Sequence, residues 1–442
     1  MLIKFPYGKA EIEVDIPDRN LLSVLESRKI KPPLDSYSTI KNALINPIKH
    51  RTLSEVANKA NKICIIVSDY TRATPNNLLL PPILKEIEES GKNLESVKVL
   101  VANGLHKPAP ENELKEILGE KILTQVNVIN HDAEDYEALR YVGRTSFGTE
   151  VYVNETILDS ELIVMTGLIE PHFFAGYSGG RKSILPGVAG RDSIYQNHSY
   201  KMIAHPMSRY GVLDGNPIHE DMVEAAEMAL KEKGYIVNVV IDKNGKILKT
   251  FAGNLIEAHR KGVKYLDSIV KVYTPKPADV VVTTNGGYPL DRDLYQSVKG
   301  MATGKSVIRK NGVIIVLSEC IDGIGRGHEP FYRLMAEAKT PENVLERIKQ
   351  EEPIKDQWEA QVLAQILTEA HVILVTRNIK HNVIEEMHIK PASNIEEALE
   401  IAKETVGKDS KIISIPEGPY LIPAVSLMFK SPQHNMLRGV ND

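Results

Sequence analysis

Short runs of β-branched residues, each followed by a polar loop and then an amphipathic stretch, recur along this chain and restrict it to an α/β architecture. Lys62 to Val67 is rich in isoleucine, and Pro75 to Ser90 follows it with helical spacing and stops at Gly91. Val97 to Ala102 and Glu111 to Leu118 repeat the pair, while Val126 to Ile129 and Leu162 to Met165 repeat the strand signal. Continuously apolar strands need cover on both faces. Alternation with helices therefore predicts largely parallel sheets. The opening segment, Leu2 to Val14, alternates about Tyr7-Gly8-Lys9 and predicts a β-hairpin. A further helix is punctuated by Asn216 as its cap, Pro217 in its first turn and Gly234 beyond its end, with Met222, Val223, Ala226 and Leu230 as its apolar stripe.

Thr274-Pro275-Lys276-Pro277 predicts a linker, since each proline blocks helix and removes a backbone donor. The strand–helix pattern then restarts with Asp279 to Thr284, Val313 to Ser318, Val372 to Thr376 and Lys411 to Ile415, with a helix over Asp356 to Ala370. The expected organisation is two α/β domains with an active-site cleft between them. The first spans residues 1–273 and the second residues 278–415, and a tail of residues 416–442 returns toward the first domain.

Composition narrows the function class. Hydrophobic residues at 42% and charged residues at 25% suit a soluble, well-cored protein. A formal net charge of −4 gives no basic field for nucleic acid, and no apolar run approaches the length of a membrane span. Two cysteines, Cys64 and Cys320, exclude a disulfide framework, and the N-terminus lacks a secretory pattern. The expected compartment is the reducing cytoplasm.

The unusual polar clusters follow predicted strands directly. They are Ser68-Asp69-Tyr70-Thr71-Arg72, Asn103-Gly104-Leu105-His106-Lys107-Pro108, His131-Asp132, Glu170-Pro171-His172 and Asn285-Gly286-Gly287-Tyr288-Pro289. Ligands of open α/β sheets bind beyond the carboxyl ends of strands, so these loops are expected to converge. The densest stretch, Ile169 to Gly190, admits three chemistries. A P-loop needs Gly-Lys before Ser or Thr, and Arg181 separates Gly180 from Lys182. A nucleophile elbow is matched by Gly176-Tyr177-Ser178-Gly179-Gly180, but the preceding strand ends well before the serine. A phosphate-bearing cofactor site would use Ser178, Gly179 and Gly180 for backbone approach and Arg181 and Lys182 for charge.

The run EPHFFAGYSGGRKSILPG followed by Asn197-His198, together with SDYTR, NGLHKP and GGYPLDRDLYQSVKG, closely resembles the nickel-pincer nucleotide-dependent lactate racemase family. The motifs occur in order from Ser68 to about Trp358 and so span most of the chain. The resemblance implies an isomerase that interconverts L- and D-lactate by hydride transfer through pyruvate. It implies nickel and a pyridinium-3-thioamide-5-thiocarboxylic acid mononucleotide, covalently bound to Lys182, with His198 as the protein ligand to nickel. His106 and His172 match the paired acid/base histidines. Arg72, Gln296 and Lys299 match polar residues of the substrate pocket, with Tyr295 beside them, and Asp69 and Trp358 match positions near the cofactor. The implied partners are the maturation enzymes: a nickel insertase, a sulfur transferase and a carboxylase.

These residue types suit that chemistry. The Cα–H of a 2-hydroxy acid is weakly acidic beside an ionised carboxylate, so removal as hydride avoids a carbanion. The two enantiomers present their hydroxyls differently and call for two bases. Histidine serves because it both takes and returns a proton near neutral pH. Arg72 can bind a carboxylate through two parallel bonds, and Lys299 adds a point charge. Because Lys299 lies beyond the linker, domain closure would complete the site. Phe173, Phe174, Tyr288, Leu290 and Tyr295 suggest a short substrate, although malate, an aryl-lactate or a sugar acid remain alternatives. So do a serine hydrolase using Ser178, a zinc site of His172, His198 and a carboxylate, and a non-catalytic binder of phosphorylated ligands. Taken singly, Asp69 reads as a turn cap, Trp358 as core and Lys182 as a phosphate contact. His205, His219, His259 and His328 lack motif company and are read as surface groups, and the loop from Ile321 to His328 as a lid or a plain loop.

Overall fold

The computed structural model describes residues 1–426. The chain divides into two compact units. One contains residues 28–269 and 348–358, and the other contains residues 1–27, 270–347 and 359 onward.

The first unit is built on a six-stranded sheet in the order Ile247–Gly253, Gly234–Ile241, Leu162–Leu168, Ile63–Ser68, Val97–Ala102, Asn127–Asn130. Every neighbouring pair is parallel except the first, which is antiparallel. The central strands are buried along nearly their whole length, as their unbroken apolar sequences require. Helices Ser36–Ile45, Leu53–Lys59 and Asn76–Glu89 supply Ile40, Leu44, Leu53, Leu80 and Ile83 to a core shared with Ile65, Val67 and Val99. The sequence reading leaves Gly234–Ile241 and Ile247–Gly253 unmarked. Their signal is the Asp242-Lys243-Asn244-Gly245 turn, in which Asp242 Oδ1 accepts the N–H groups of Asn244 and Lys246, both at 2.9 Å. The helix Pro217–Leu230 has the expected cap, with Asn216 accepting from the N–H groups of Ile218 and His219. It ends at Lys231, whose φ is 52°, and Gly234 opens the next strand instead.

The second unit carries another six-stranded sheet, wholly parallel, in the order Lys390–Ala392, His371–Val375, Ile308–Leu317, Ala278–Thr284, Ile412–Ile415, Leu21–Val24. The predicted hairpin forms between Leu2–Tyr7 and Ala10–Asp15. Two boundaries differ from those expected. Residues 1–27 belong with the C-terminal sheet, because Leu21–Val24 pairs with Ile412–Ile415 and Ile3, Phe5 and Val14 share a core with Val282 and Ile315. Sequence distance hid this pairing, which joins residues nearly a full chain apart. The described part of the tail also differs: Ile422–Val425 pairs with Lys271–Thr274 inside the C-terminal unit rather than with the first domain. The rest of the predicted tail, residues 427–442, lies outside the described residues. No helix among the described residues is long and apolar enough to cross a membrane.

Candidate active site

Three adjacent parallel strands of the first unit, Leu162–Leu168, Ile63–Ser68 and Val97–Ala102, end on the same side, and the motif loops leave from those ends. The Val97 strand runs into a turn closed by the His106 N–H to the Asn103 carbonyl at 2.9 Å. Asn103 is buried, and its Nδ2 donates to the His131 carbonyl at 2.9 Å, which anchors the turn to the next strand end. The turn delivers His106 to Asp69, whose Oδ2 lies 2.6 Å from His106 Nδ1. Asp69 is 3% exposed and accepts the Thr71 hydroxyl at 2.7 Å on its other oxygen. Burial alone would raise its pKa. The facing imidazole, the Arg72 guanidinium and the Thr71 hydroxyl together outweigh that and hold the carboxyl below its ordinary range. An ionised carboxylate can only accept, so Nδ1 of His106 carries the proton, and Nε2 of the neutral ring is the basic atom.

The second group surrounds Phe174. Its ring centroid lies 4.5 Å from that of His172 and 5.1 Å from that of His198, both nearly edge-on, and Lys182 Nζ lies 5.9 Å from it. His198 in turn meets Trp358 edge-on at 5.3 Å. The fold thus gathers His172, Lys182 and His198 about Phe174, with Trp358 packed against His198. His172 Nδ1 accepts the Ala175 N–H at 3.2 Å, the opposite arrangement to that of His106. His198 closes the short helix Arg191–Asn197. Asn197 is pinned by its Nδ2 to Asp221 at 2.6 Å, and Asp221 also accepts the hydroxyls of Thr145 and Thr149. Burial, reinforced by the nearby Lys182 ammonium, pushes the His198 pKa down to about 3. Its Nδ1 is buried without a hydrogen-bond partner. A neutral imidazole with an unpartnered buried nitrogen fits a ligand to a metal. Among the described residues no group of three or more His, Cys, Asp or Glu side chains could hold an ion, so the zinc site of His172, His198 and a carboxylate is not formed.

The Ser178-Gly179-Gly180-Arg181 turn behaves differently from its sequence reading. Ser178 Oγ donates to the Leu168 carbonyl at 2.7 Å and accepts the Glu170 N–H at 3.0 Å, so the hydroxyl braces the turn. Among the described residues no imidazole contacts it; His259 Nε2 donates to the Ser178 carbonyl instead. That arrangement lacks the base a serine hydrolase requires. Gly180 N–H donates to Asn238 Oδ1 at 2.7 Å, and a Cβ at Gly179, where φ is +78°, would lie 2.9 Å from the same oxygen. Arg181 is 1% exposed, and its guanidinium donates to the carbonyls of Ala175, Tyr177 and Gly179. Burial lowers its pKa to about 9. These donors, expected to face a phosphate, are engaged inside the protein and fix the turn that presents Lys182.

On the second unit, Asp293 caps the helix Leu294–Lys305 by accepting the Gln296 N–H at 2.7 Å. The first turns of that helix carry Tyr295, Gln296 and Lys299, and Lys299 Nζ donates to Gln296 Oε1 at 2.5 Å. Tyr295 stacks on His328, with centroids 3.6 Å apart and planes 6° from parallel.

Models of the lactate racemase N-terminal domain and C-terminal domain match residues 7–211 and 273–422. The chain belongs to the lactate racemase family. It is 42% identical over 425 residues to the lactate racemase of Thermoanaerobacterium thermosaccharolyticum, covering 95% of this chain and 98% of that one. It is 36% identical over 424 residues to the lactate racemase of Lactiplantibacillus plantarum, covering 94% and 98%. The structure of the lactate racemase apoprotein from Thermoanaerobacterium thermosaccharolyticum superposes with a TM-score of 0.91 at 41% identity, covering 96% of this chain and all of that one. A Thermotoga maritima protein at 19% identity and a TM-score of 0.68, covering 90% of this chain, shares the fold. Family membership makes the chain an isomerase of the racemase type.

Sequence reading missed several residues that pack about these groups. His219 and His259, read as surface groups, are 5% and 3% exposed and lie beneath the Arg181 turn. His131, grouped with the site loops, is buried and donates from Nε2 to the Ala189 carbonyl at 3.0 Å. His328 is drawn in by its stack on Tyr295, and the turns from Ile321 to His328 are tied to the Leu294 helix through the Gly323 and Ile324 carbonyls. Phe174 carried a visible signal, adjacency to His172. Its contact with His198 depends on a residue from outside the stretch of residues 169–190.

Proposed function

We propose that this chain racemises lactate by moving the C2 hydrogen out and back as hydride, with a nickel-pincer nucleotide tethered to Lys182. Support comes from the relatives named lactate racemase and, most directly, from the packing of Lys182, His172 and His198 against the ring of Phe174. His198 would hold the nickel, since its ring is kept neutral with a nitrogen unpartnered, and Trp358 packs against that ring. When bound, the group supplies an electron-pair acceptor for a hydrogen that a base alone removes poorly.

The remaining work belongs to the chain. His106 accepts the alcohol proton at Nε2, and Asp69 stabilises the resulting imidazolium through Nδ1. His172 serves the hydroxyl of the opposite enantiomer. With Nδ1 accepting the Ala175 N–H, the neutral ring carries its proton on Nε2, so to take the alcohol proton at Nε2 it must first shift to the Nδ1–H tautomer and release the Ala175 contact. Arg72, beside the dyad, supplies a fork for the substrate carboxylate, and Tyr295, Gln296 and Lys299 form the substrate-side group of the second unit. The buried aromatics Phe173 and Phe174 exclude water from the reacting face. This reading requires cytoplasmic production beside a nickel insertase, a sulfur transferase and a carboxylase that make the cofactor.

The test is production with and without those maturation enzymes, followed by chiral assay of lactate, metal analysis and mass spectrometry of the peptide spanning Lys182. Active protein should carry about one nickel per chain, as a single four-coordinate site requires, and a mass increase on that lysine. Full activity with Lys182 unmodified overturns the proposal.

A further inference from the structure

The N-terminal hairpin has no part in the chemistry above, yet its turn is fastened to the loop that leads into the substrate-side helix. Gly8 N–H donates to Asp291 Oδ2 at 2.6 Å, and Tyr288 N–H returns a bond to the Gly8 carbonyl at 2.8 Å. Lys9 Nζ lies 4.8 Å from the centroid of the Tyr288 ring. Gly8 has φ +56°, the left-handed region that favours glycine, and a Cβ there would displace the Glu319 carboxylate. Asp291 is fully buried. Its Oδ2 also accepts the Glu319 N–H at 3.3 Å, and its carbonyl accepts the Cys320 N–H at 2.8 Å and the Ser318 hydroxyl at 3.1 Å. Two residues later Asp293 caps the helix that carries Tyr295, Gln296 and Lys299.

We infer that the hairpin turn is a positioning element for substrate binding: Gly8, through Asp291, sets where the Leu294–Lys305 helix begins and therefore where Tyr295, Gln296 and Lys299 stand. The inference rests on the reading of those three residues as the substrate-side group. Asp291 is a positioning residue and touches no reacting atom. A carboxylate buried against one hairpin amide and one loop amide, with Oδ1 unpartnered, is costly for stability alone. Its geometric return is a fixed register between hairpin and loop.

The experiment measures kcat and KM for each enantiomer in loaded enzyme, unfolding midpoints, and amide hydrogen exchange across residues 286–299, for Asp291→Ala, Asp291→Asn, Gly8→Ala and Lys299→Ala. Asp291→Ala should raise KM on the order of tenfold with a smaller change in kcat, the pattern of lost ground-state positioning, and should speed exchange across the loop. Asp291→Asn keeps an oxygen for the Gly8 N–H and exchanges an unpartnered acceptor for an unpartnered donor, so it should restore most of KM. Gly8→Ala should reproduce the Asp291→Ala phenotype from the other side of the bond, and it decides the matter if Asp291→Ala does not fold. A merely structural role lowers the active fraction, and with it kcat, at unchanged KM; that result overturns the inference. If Lys299→Ala raises KM but Asp291→Ala and Gly8→Ala do not, only the hairpin inference falls. If Lys299→Ala leaves KM unchanged, the substrate-side reading itself falls.

Discussion

Asp69 accepts the Nδ1 proton of His106 across 2.6 Å, with the carboxylate buried and its other oxygen engaged by Thr71. That pairing fixes one tautomer. In Asp69→Asn the amide can face the ring with its NH₂ group, which favours a proton on Nε2 and removes the base. The expected loss in kcat is roughly 10²–10⁴-fold, the range for a general base held in the wrong tautomer. Little change in the unfolding midpoint should accompany it. Racemisation kinetics on protein of verified cofactor content check this, and a loss below a few-fold would remove the dyad from the mechanism.

His172 is held the other way, its Nδ1 accepting the Ala175 N–H. Enantiomers are equal in free energy, so any variant must lower kcat/KM by the same factor from either side. Steady-state rates therefore cannot tell the histidines apart. Single turnovers can. His172→Ala and His106→Ala should each cut steady-state racemisation by on the order of 10²-fold or more. Each should still release keto acid in a single turnover from one enantiomer, and the two variants should favour opposite enantiomers. The same enantiomer surviving in both would refute the division of labour.

Local sequence carried most of the fold and part of the site. Parallel sheets followed from apolar runs such as Ile63–Ser68, and the meeting of the loops that carry Asp69 and His106 followed from the rule that ligands bind at strand ends, whereas the roles of His106 and His172 came from the family resemblance. What escaped depended on long-range partners. The membership of Leu21–Val24 in a sheet with Ile412–Ile415 has no local signature. Arg181 looked like a phosphate ligand because sequence shows charge but not the three carbonyls that surround the guanidinium. His219 and His259 looked exposed because a polar side chain on an amphipathic helix is usually outside. Both are buried beneath a charge that their own helices do not contain.

Ser178→Ala separates bracing from nucleophilic chemistry. The variant leaves the Leu168 carbonyl and the Glu170 N–H without the hydroxyl that joins them. The expected cost is about 2 kcal/mol of unfolding free energy, within the range for a buried hydrogen-bonding group left unsatisfied. Racemisation should fall only as far as the folded fraction does. Denaturant titration alongside activity checks this. Complete loss of activity in a fully folded, fully loaded variant would return the serine to the chemistry.

Mild acid should destabilise the N-terminal unit steeply. Burial pushes the pKa of His131 down to about 4, of His198 and His259 to about 3 and of His219 to about 2, with Lys182 adding to it at His198 and Arg181 at His259 and His219, against an ordinary value of 6.5. Below pH 6.5 the unfolded chain therefore binds protons that the folded chain refuses, and stability falls as pH falls. Each group contributes about 1.4 kcal/mol per pH unit once its unfolded form is charged. The four together thus reach about 5 kcal/mol per unit near pH 5. Unfolding midpoints should decline across this acid range and be nearly flat from pH 7 to 8. His131→Gln, which keeps a donor for the Ala189 carbonyl without the titration, should reduce the slope by about a quarter. An unchanged slope in that variant would show that His131 does not contribute to the acid transition.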